Sequence, residues 1–228
     1  MIHPEHQPDK HLAYYALLDG LRAGGCPICR RVSETGRHLM KAFLYESVND
    51  PEIRAQMRRD GGLCHRHTWQ LASFGDALGG TILLNDWFAG VSAAMFEDSR
   101  ALRHSRLVER RQPENCYFCR QAMLIDSAAV AELSAHLADE AVEKCWENGA
   151  VLCVAHLFAV ERICRNRPCW KNLYSVHRRK YAALAAELAG SLERQDYAHR
   201  TAGECPDEGV WLRAAALLAG PRDIGVLP

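Results

Sequence analysis

The chain has 228 residues, 48% of them apolar and 25% charged, with Lys plus Arg equal to Asp plus Glu at 28 each. That length buries a real core and fits one compact domain of two halves or two small domains. The zero formal charge excludes a global field drawing the chain to nucleic acid or to an anionic membrane, so any such contact has to be local.

The opening MIHPEHQPDKHLAYY holds no apolar stretch of signal-peptide length, and no run of about 18 apolar residues follows that spans a bilayer. The expectation is a soluble, cytoplasmic protein without membrane contact. Ten cysteines in such a chain point to reduced thiols, and reduced thiols in pairs point to metal rather than to disulfides.

In chain order, residues 10–23 carry Leu12, Tyr15, Leu17, Leu18 and Leu21 at helical spacing and stop at Gly24-Gly25, just before C-P-I-C at 26–29. Asn49-Asp50-Pro51 punctuates the chain. Asp50 is placed to cap a short helix whose first turn tolerates Pro51, and Gly61-Gly62 ends it before Cys64. A helix from His67 runs to about Phe74. Gly75 and Gly79-Gly80 are expected to break it before a longer helix with Leu83, Trp87, Val91 and Met95 on one face. The Arg-rich stretch 100–111, closed by Gln112-Pro113-Glu114-Asn115, reads as a junction. The second half repeats the plan, with a helix bearing Tyr181, Leu184, Leu188 and Leu192, and a last helix at about 208–219. Alternating strand patterns are essentially absent. The spacing therefore predicts an all-α fold of two metal-stapled helical halves related by an internal repeat, residues 1–111 and 112–228.

The cysteines carry that repeat: C-P-I-C, 34 residues, C-H-R-H; then C-Y-F-C, 33 residues, C-V-A-H. Chance placement of ten Cys and eleven His yields roughly half a C-x-x-C and half a C-x-x-H, so two of each in alternation are informative. Superposing the C-x-x-H pairs sets Asp139 on Asp50, Val142 on Ile53 and Leu152 on Leu63. Arg30 and Arg120 both follow a second cysteine.

Zinc takes four tetrahedral ligands in structural sites, and Cys3His is a usual set. A C-x-x-C turn brings two thiolates together, while Cys and His three apart on a first helical turn share one face. Read sequentially, the sites are Cys26, Cys29, Cys64 and His67, then Cys116, Cys119, Cys153 and His156: two zinc ions per chain. His65 competes with His67, but the second block, where only His156 is available, favours His67. An iron–sulfur cluster is the alternative cofactor, since C-x-x-C pairs also hold clusters.

C-P-I-C-R, L-Y-E-S-V-N-D-P at 44–51 and G-L-C-H-R-H-T-W at 62–69, followed by a second C-x-x-C and L-C-x-x-H, resemble an uncharacterised bacterial family catalogued as a domain of unknown function, over roughly 12–219. The resemblance implies a soluble bacterial protein with two Cys3His motifs and the same eight ligands, and adds no catalytic residue.

Cys145, Cys164, Cys169 and Cys205 have no partners in the repeat and read as small buried residues, with Cys164 and Cys169 as a candidate regulatory dithiol. His3, His6 and His11 offer a metal-binding arm, or simply solvated side chains. Arg162, Arg165, Arg167, Lys171, Arg178, Arg179 and Lys180, beside Trp170 and Tyr174, form the better of two basic patches for nucleic acid; Arg100, Arg103, Arg106, Arg110 and Arg111 form the other. Glu46 and Asp50 stand one turn apart as a possible polar site. No G-x-S-x-G, phosphate loop, dinucleotide fingerprint or H-E-x-x-H occurs, so no catalytic residue is assigned. The first reading is a zinc-binding adaptor for a protein partner. A redox protein or metal-dependent enzyme subunit, and a nucleic-acid-binding protein, are the alternatives.

Overall fold

The computed structural model describes residues 9–60, 62–92, 113–195 and 209–221. Among these the chain is all helical: α1 Leu12–Arg22, α2 Pro27–Ala42, α3 Pro51–Arg59, α4 His65–Ser73, α5 Ala77–Ser92, α6 Tyr117–Ala135, α7 Glu140–Glu147, α8 Val154–Cys164, α9 Pro168–Gln195 and α10 Val210–Ala219. A five-residue π turn, Phe43–Ser47, prolongs α2, and a 3-10 turn, Pro113–Asn115, leads into α6. Met95, the Arg-rich junction 100–111, Cys205, His3 and His6 lie outside the described residues.

Helix limits follow local chemistry. Asp50 Oδ1 accepts from the amides of Glu52 (2.8 Å) and Ile53 (3.3 Å), with Pro51 opening α3. Asp139, its counterpart in the repeat, accepts from the Ala141 amide at 3.0 Å and caps α7. The capped helices then pack alike, α3 on α5 and α7 on α9. One expected break is absent: Gly79-Gly80 lies inside α5, not before it. Asp76 starts that helix by accepting from the Gly79 amide at 2.9 Å, and a Cβ added at Gly79 would stand 2.9 Å from Asp76 Oδ2. Glycine at 79 thus makes room for the cap rather than ending a helix.

The chain forms two compact units. The first draws on residues 1–31 and 126–226, the second on 32–125. The dividing points fall inside α2 and α6, not at the 111/112 junction expected from the repeat. Each of these helices starts in one unit and continues in the other. In the first unit α1 packs on α7, and Leu21, Ile28, Leu133, Val142, Trp146 and Leu152 are all buried in one core. In the second, Met40, Met57, Leu63, Leu71, Leu83 and Phe118 form the core.

Candidate metal centres

All four cysteine-bearing motifs sit on helix starts. Cys64 and Cys153 are the N-caps of α4 and α8, and His67 and His156 are three residues further on. Cys26 and Cys116 immediately precede α2 and α6, with Cys29 and Cys119 three residues on. Spacing of three on a first turn places both side chains on one face, as expected for C-x-x-H. For C-x-x-C a helix start, not a free turn, does the same work. The positive end of each helix favours the thiolate form of the sulfurs beside it.

The eight expected ligands come together in two groups, but the pairing is crossed. Cys26 and Cys29 join Cys153 and His156 in the first unit, and Cys64 and His67 join Cys116 and Cys119 in the second, with the ligand atoms of each group within 4.8 Å of one another. The sequential pairing is therefore corrected. Cys26 and Cys29 lie in the first unit with Cys153 and His156, and the chain enters the second unit at residue 32, before it reaches Cys64 and His67.

In the first unit, His156 Nδ1 lies 3.3, 3.2 and 3.1 Å from the sulfurs of Cys26, Cys29 and Cys153, and the Cys29 and Cys153 sulfurs are 3.6 Å apart. In the second, His67 Nδ1 lies 3.3, 3.4 and 3.3 Å from Cys64, Cys116 and Cys119, with 3.7 Å between the Cys64 and Cys119 sulfurs. His65 is exposed and takes no part. Every ligand is buried except Cys119, which is half-buried.

Crowding splits the thiols. Hydrogen bonds from Cys116 and Cys119 hold Cys64 well below the usual thiol range, and those from Cys26 and Cys29 do the same for Cys153. Their neighbours Cys29 and Cys119 are pushed up, chiefly by hydrogen bonds to Cys153 and Cys116. Burial lowers both histidines, but hydrogen bonds outweigh it. Cys116 and Cys64 lift His67 to about 9, and Asp126 with Cys153 and Cys26 lifts His156 to about 12. Three sulfurs this close ionise together only beside a cation, so each group has the donor chemistry of a metal site.

Residues behind the ligands fix their positions. His156 Nε2 lies 2.6 Å from Asp126 Oδ1, which turns Nδ1 toward the sulfurs. On one face of α9, His177 Nε2 accepts from the Leu152 amide at 2.9 Å, Tyr181 donates to the Leu152 carbonyl at 2.9 Å, and Lys180 donates to the Ala150 carbonyl at 2.8 Å. These three hold the loop that delivers Cys153. The Gly25 amide donates to the Gly149 carbonyl and the Val151 amide to the Gly25 carbonyl, tying that loop to the one before Cys26. Arg120 donates to the Asn115 carbonyl and to Asp60, both at 2.7 Å, and Arg30 reaches the Ala23 and Gly24 carbonyls; each arginine steadies the approach to its own C-x-x-C. Sequence reasoning passed over Asp126, whose only signal is a carboxylate in an otherwise small and apolar stretch, and it assigned Lys180 and Tyr181 to other roles.

The remaining candidates have structural settings. Cys164 is fully buried with its sulfur 3.8 Å from the Ser134 carbonyl, Cys145 donates to the Ala141 carbonyl, and Cys169 packs against the core. Glu46 is exposed and Asp50 is a cap, so they build no joint site. His11 precedes α1 without a side-chain cap bond. In the basic patch, Arg167 donates to the Ser134 carbonyl, Arg179 pairs with Glu147, Lys180 is committed to Ala150, and Trp170 is buried. Tyr174 remains as the exposed aromatic there. Among the described residues no helix is long and apolar enough to cross a membrane.

The chain belongs to the Family of unknown function (DUF6062), whose model matches residues 19–188, a span that includes all eight ligands. It is similar to an uncharacterised 23.9 kDa protein in the xynA 3′ region of Caldicellulosiruptor sp. (strain Rt8B.4), at 24% identity over 215 residues that cover 90% of this chain and 100% of the relative. No solved structure matches the chain.

Proposed function

We propose that this family member is a zinc-stapled helical scaffold, with one structural zinc ion in each Cys3His group, that presents a helical surface to a protein partner. The observation that carries the reading is the closure of both donor sets: three sulfurs and one imidazole nitrogen, all within 4.8 Å of one another. Zinc–sulfur bonds of about 2.3 Å put tetrahedral sulfurs roughly 3.8 Å apart. The sulfur separations of 3.6 and 3.7 Å fit that tetrahedron. A set this tight favours a single ion over a cluster of several irons, whose thiolates stand further apart. Four protein ligands leave no open position for water or substrate, which supports a structural over a catalytic ion. Three thiolates leave each zinc site one net negative charge, and two helix N-termini offset it.

The partner surface draws its support from α10, where Trp211, Leu212 and Leu218 are 59%, 54% and 70% exposed. Large apolar side chains grouped on one short helix are the material of protein interfaces. Elemental analysis with acid-labile sulfide, on protein purified anaerobically without a metal-binding tag, tests the reading. About two zinc per chain and no sulfide are expected; iron with matching sulfide would make this a redox protein instead. For the partner, recovery from the native host of a stoichiometric protein that Trp211→Ser with Leu212→Ser abolishes is expected. Equal recovery by the variant would move the surface elsewhere.

A further inference from the structure

The two sites share a ligand set, helix starts and an arginine after each C-x-x-C, and differ in what stands behind the histidine and in access. Asp126 stands ten residues after Cys116 on α6 and holds His156 at 2.6 Å, itself largely buried at 17% side-chain exposure. The position ten residues after Cys26 on α2, its counterpart for His67, is Gly36, which has no side chain to offer. A carboxylate behind a metal-bound imidazole fixes its tautomer and raises its basicity, and its loss typically costs about 10- to 100-fold in metal affinity.

Access differs in the same sense. The four ligands of the first unit are all buried, and Gly220, just past α10, lies against them: a Cβ added there would stand 3.5 Å from the Cys29 sulfur. The loop before Cys153 is pinned by His177, Lys180 and Tyr181. In the second unit Cys119 is half-buried, and the Arg120 side chain beside it, bound to Asp60, is itself 37% exposed. A chelator has to bring a donor atom to the ion before the ion can leave, and the half-buried Cys119 side of the site offers that entry.

We infer that the two sites are of unequal rank: the Cys26, Cys29, Cys153, His156 site holds its ion permanently, while the Cys64, Cys116, Cys119, His67 site exchanges its ion with soluble thiol or nitrogen chelators. This rests on the two-zinc reading above. Exchange begins at Cys119: an incoming donor displaces its thiolate from the ion, the thiolate takes a proton from solvent, and no electron moves. Loss of zinc from the second unit then frees Cys64, Cys116 and Cys119 for alkylation while the first unit stays closed.

The test challenges the full zinc-loaded chain with excess 4-(2-pyridylazo)resorcinol, following zinc release by absorbance, and quenches aliquots with N-ethylmaleimide for peptide mapping. The expected result is two phases separated by about 10-fold or more, with Cys64, Cys116 and Cys119 labelled in the fast one. Asp126→Asn is expected to bring the phases together by accelerating the slow one, with the fast phase unmoved. A single phase, or early labelling of Cys26, Cys29 and Cys153, overturns the ranking while leaving two zinc sites intact. A chain purified with one zinc supports the ranking if its free thiols map to the second unit and overturns it if they map to the first. A chain that binds no zinc under any loading condition overturns the two-zinc reading, and the ranking with it.

Discussion

The Cys29 sulfur lies 3.6 Å from the Cys153 sulfur, 124 residues later in the chain. The first C-x-x-C is thus completed by the second C-x-x-H. Between them the chain forms most of the second unit, where the other two motifs meet.

That crossing is open to a direct count. Cys26→Ser and Cys153→Ser are each expected to remove one zinc per chain, and the double variant still only one. Cys26→Ser combined with Cys64→Ser removes both. Metal content by mass spectrometry under native conditions reads the result; loss of a single ion from the Cys26/Cys64 double variant would restore the sequential pairing.

Metal and fold are expected to be coupled, because in each unit the candidate site joins helix starts far apart in sequence. Removing both ions with a chelator should reduce helical content and lower the melting temperature. A loss of about 4 kcal/mol moves the transition of a chain this size by roughly 8–16 °C. Unchanged circular dichroism and melting after verified removal would end the structural role.

Asp50 and Asp139 hold the same place in the repeat and have different loads. Asp50 caps α3 alone, and its change to Ala is expected to cost about 1 kcal/mol. Asp139 also accepts from the buried Tyr14 hydroxyl at 2.9 Å and pairs with Lys10 at 2.7 Å. Burial works to raise its pKa, but Lys10 and Tyr14 hold the carboxyl below the ordinary range. Asp139→Ala strands the Tyr14 hydroxyl as well, for a total of about 2–4 kcal/mol. Denaturant titration of the two variants compares them; equal costs would mean that Tyr14 finds another partner.

His177 introduces a pH dependence. Burial holds its pKa down at about 4, below the roughly 6.5 of an unfolded histidine. Its Nδ1 lies 2.9 Å from the Leu173 carbonyl while Nε2 accepts from Leu152, a pattern only the neutral ring satisfies. The stability it contributes is therefore fully present above about pH 6.5 and is lost as the pH falls toward 4. The stability difference between wild type and His177→Gln should shrink between pH 7 and 4.5 in denaturant titrations. A constant difference would show that the ring protonates in place without cost.

How far the site was legible depends on the distance over which its parts are encoded. Cys64 with His67 and Cys153 with His156 are set within one helical turn, and spacing alone marks them as neighbours on one face. Asp50 and Asp139 as caps are equally local. Trp170 reads as an aromatic beside a basic patch, yet it is buried in the first unit's core, because neighbours in sequence on a helix point to different sides. Asp126 has no local signature, since its meaning lies in a histidine thirty residues away.

By itself the sequence determined the helical class, the eight candidate ligands and the helix starts beneath the two C-x-x-H pairs, all features encoded within a turn or two of chain. The tertiary structure alone decided which pairs stand together, which histidine has a carboxylate behind it and which cysteine is less than fully buried. The reason is physical: each candidate site joins motifs more than 45 residues apart, so the partner of a motif is set by packing within its unit, which no spacing between neighbouring residues encodes.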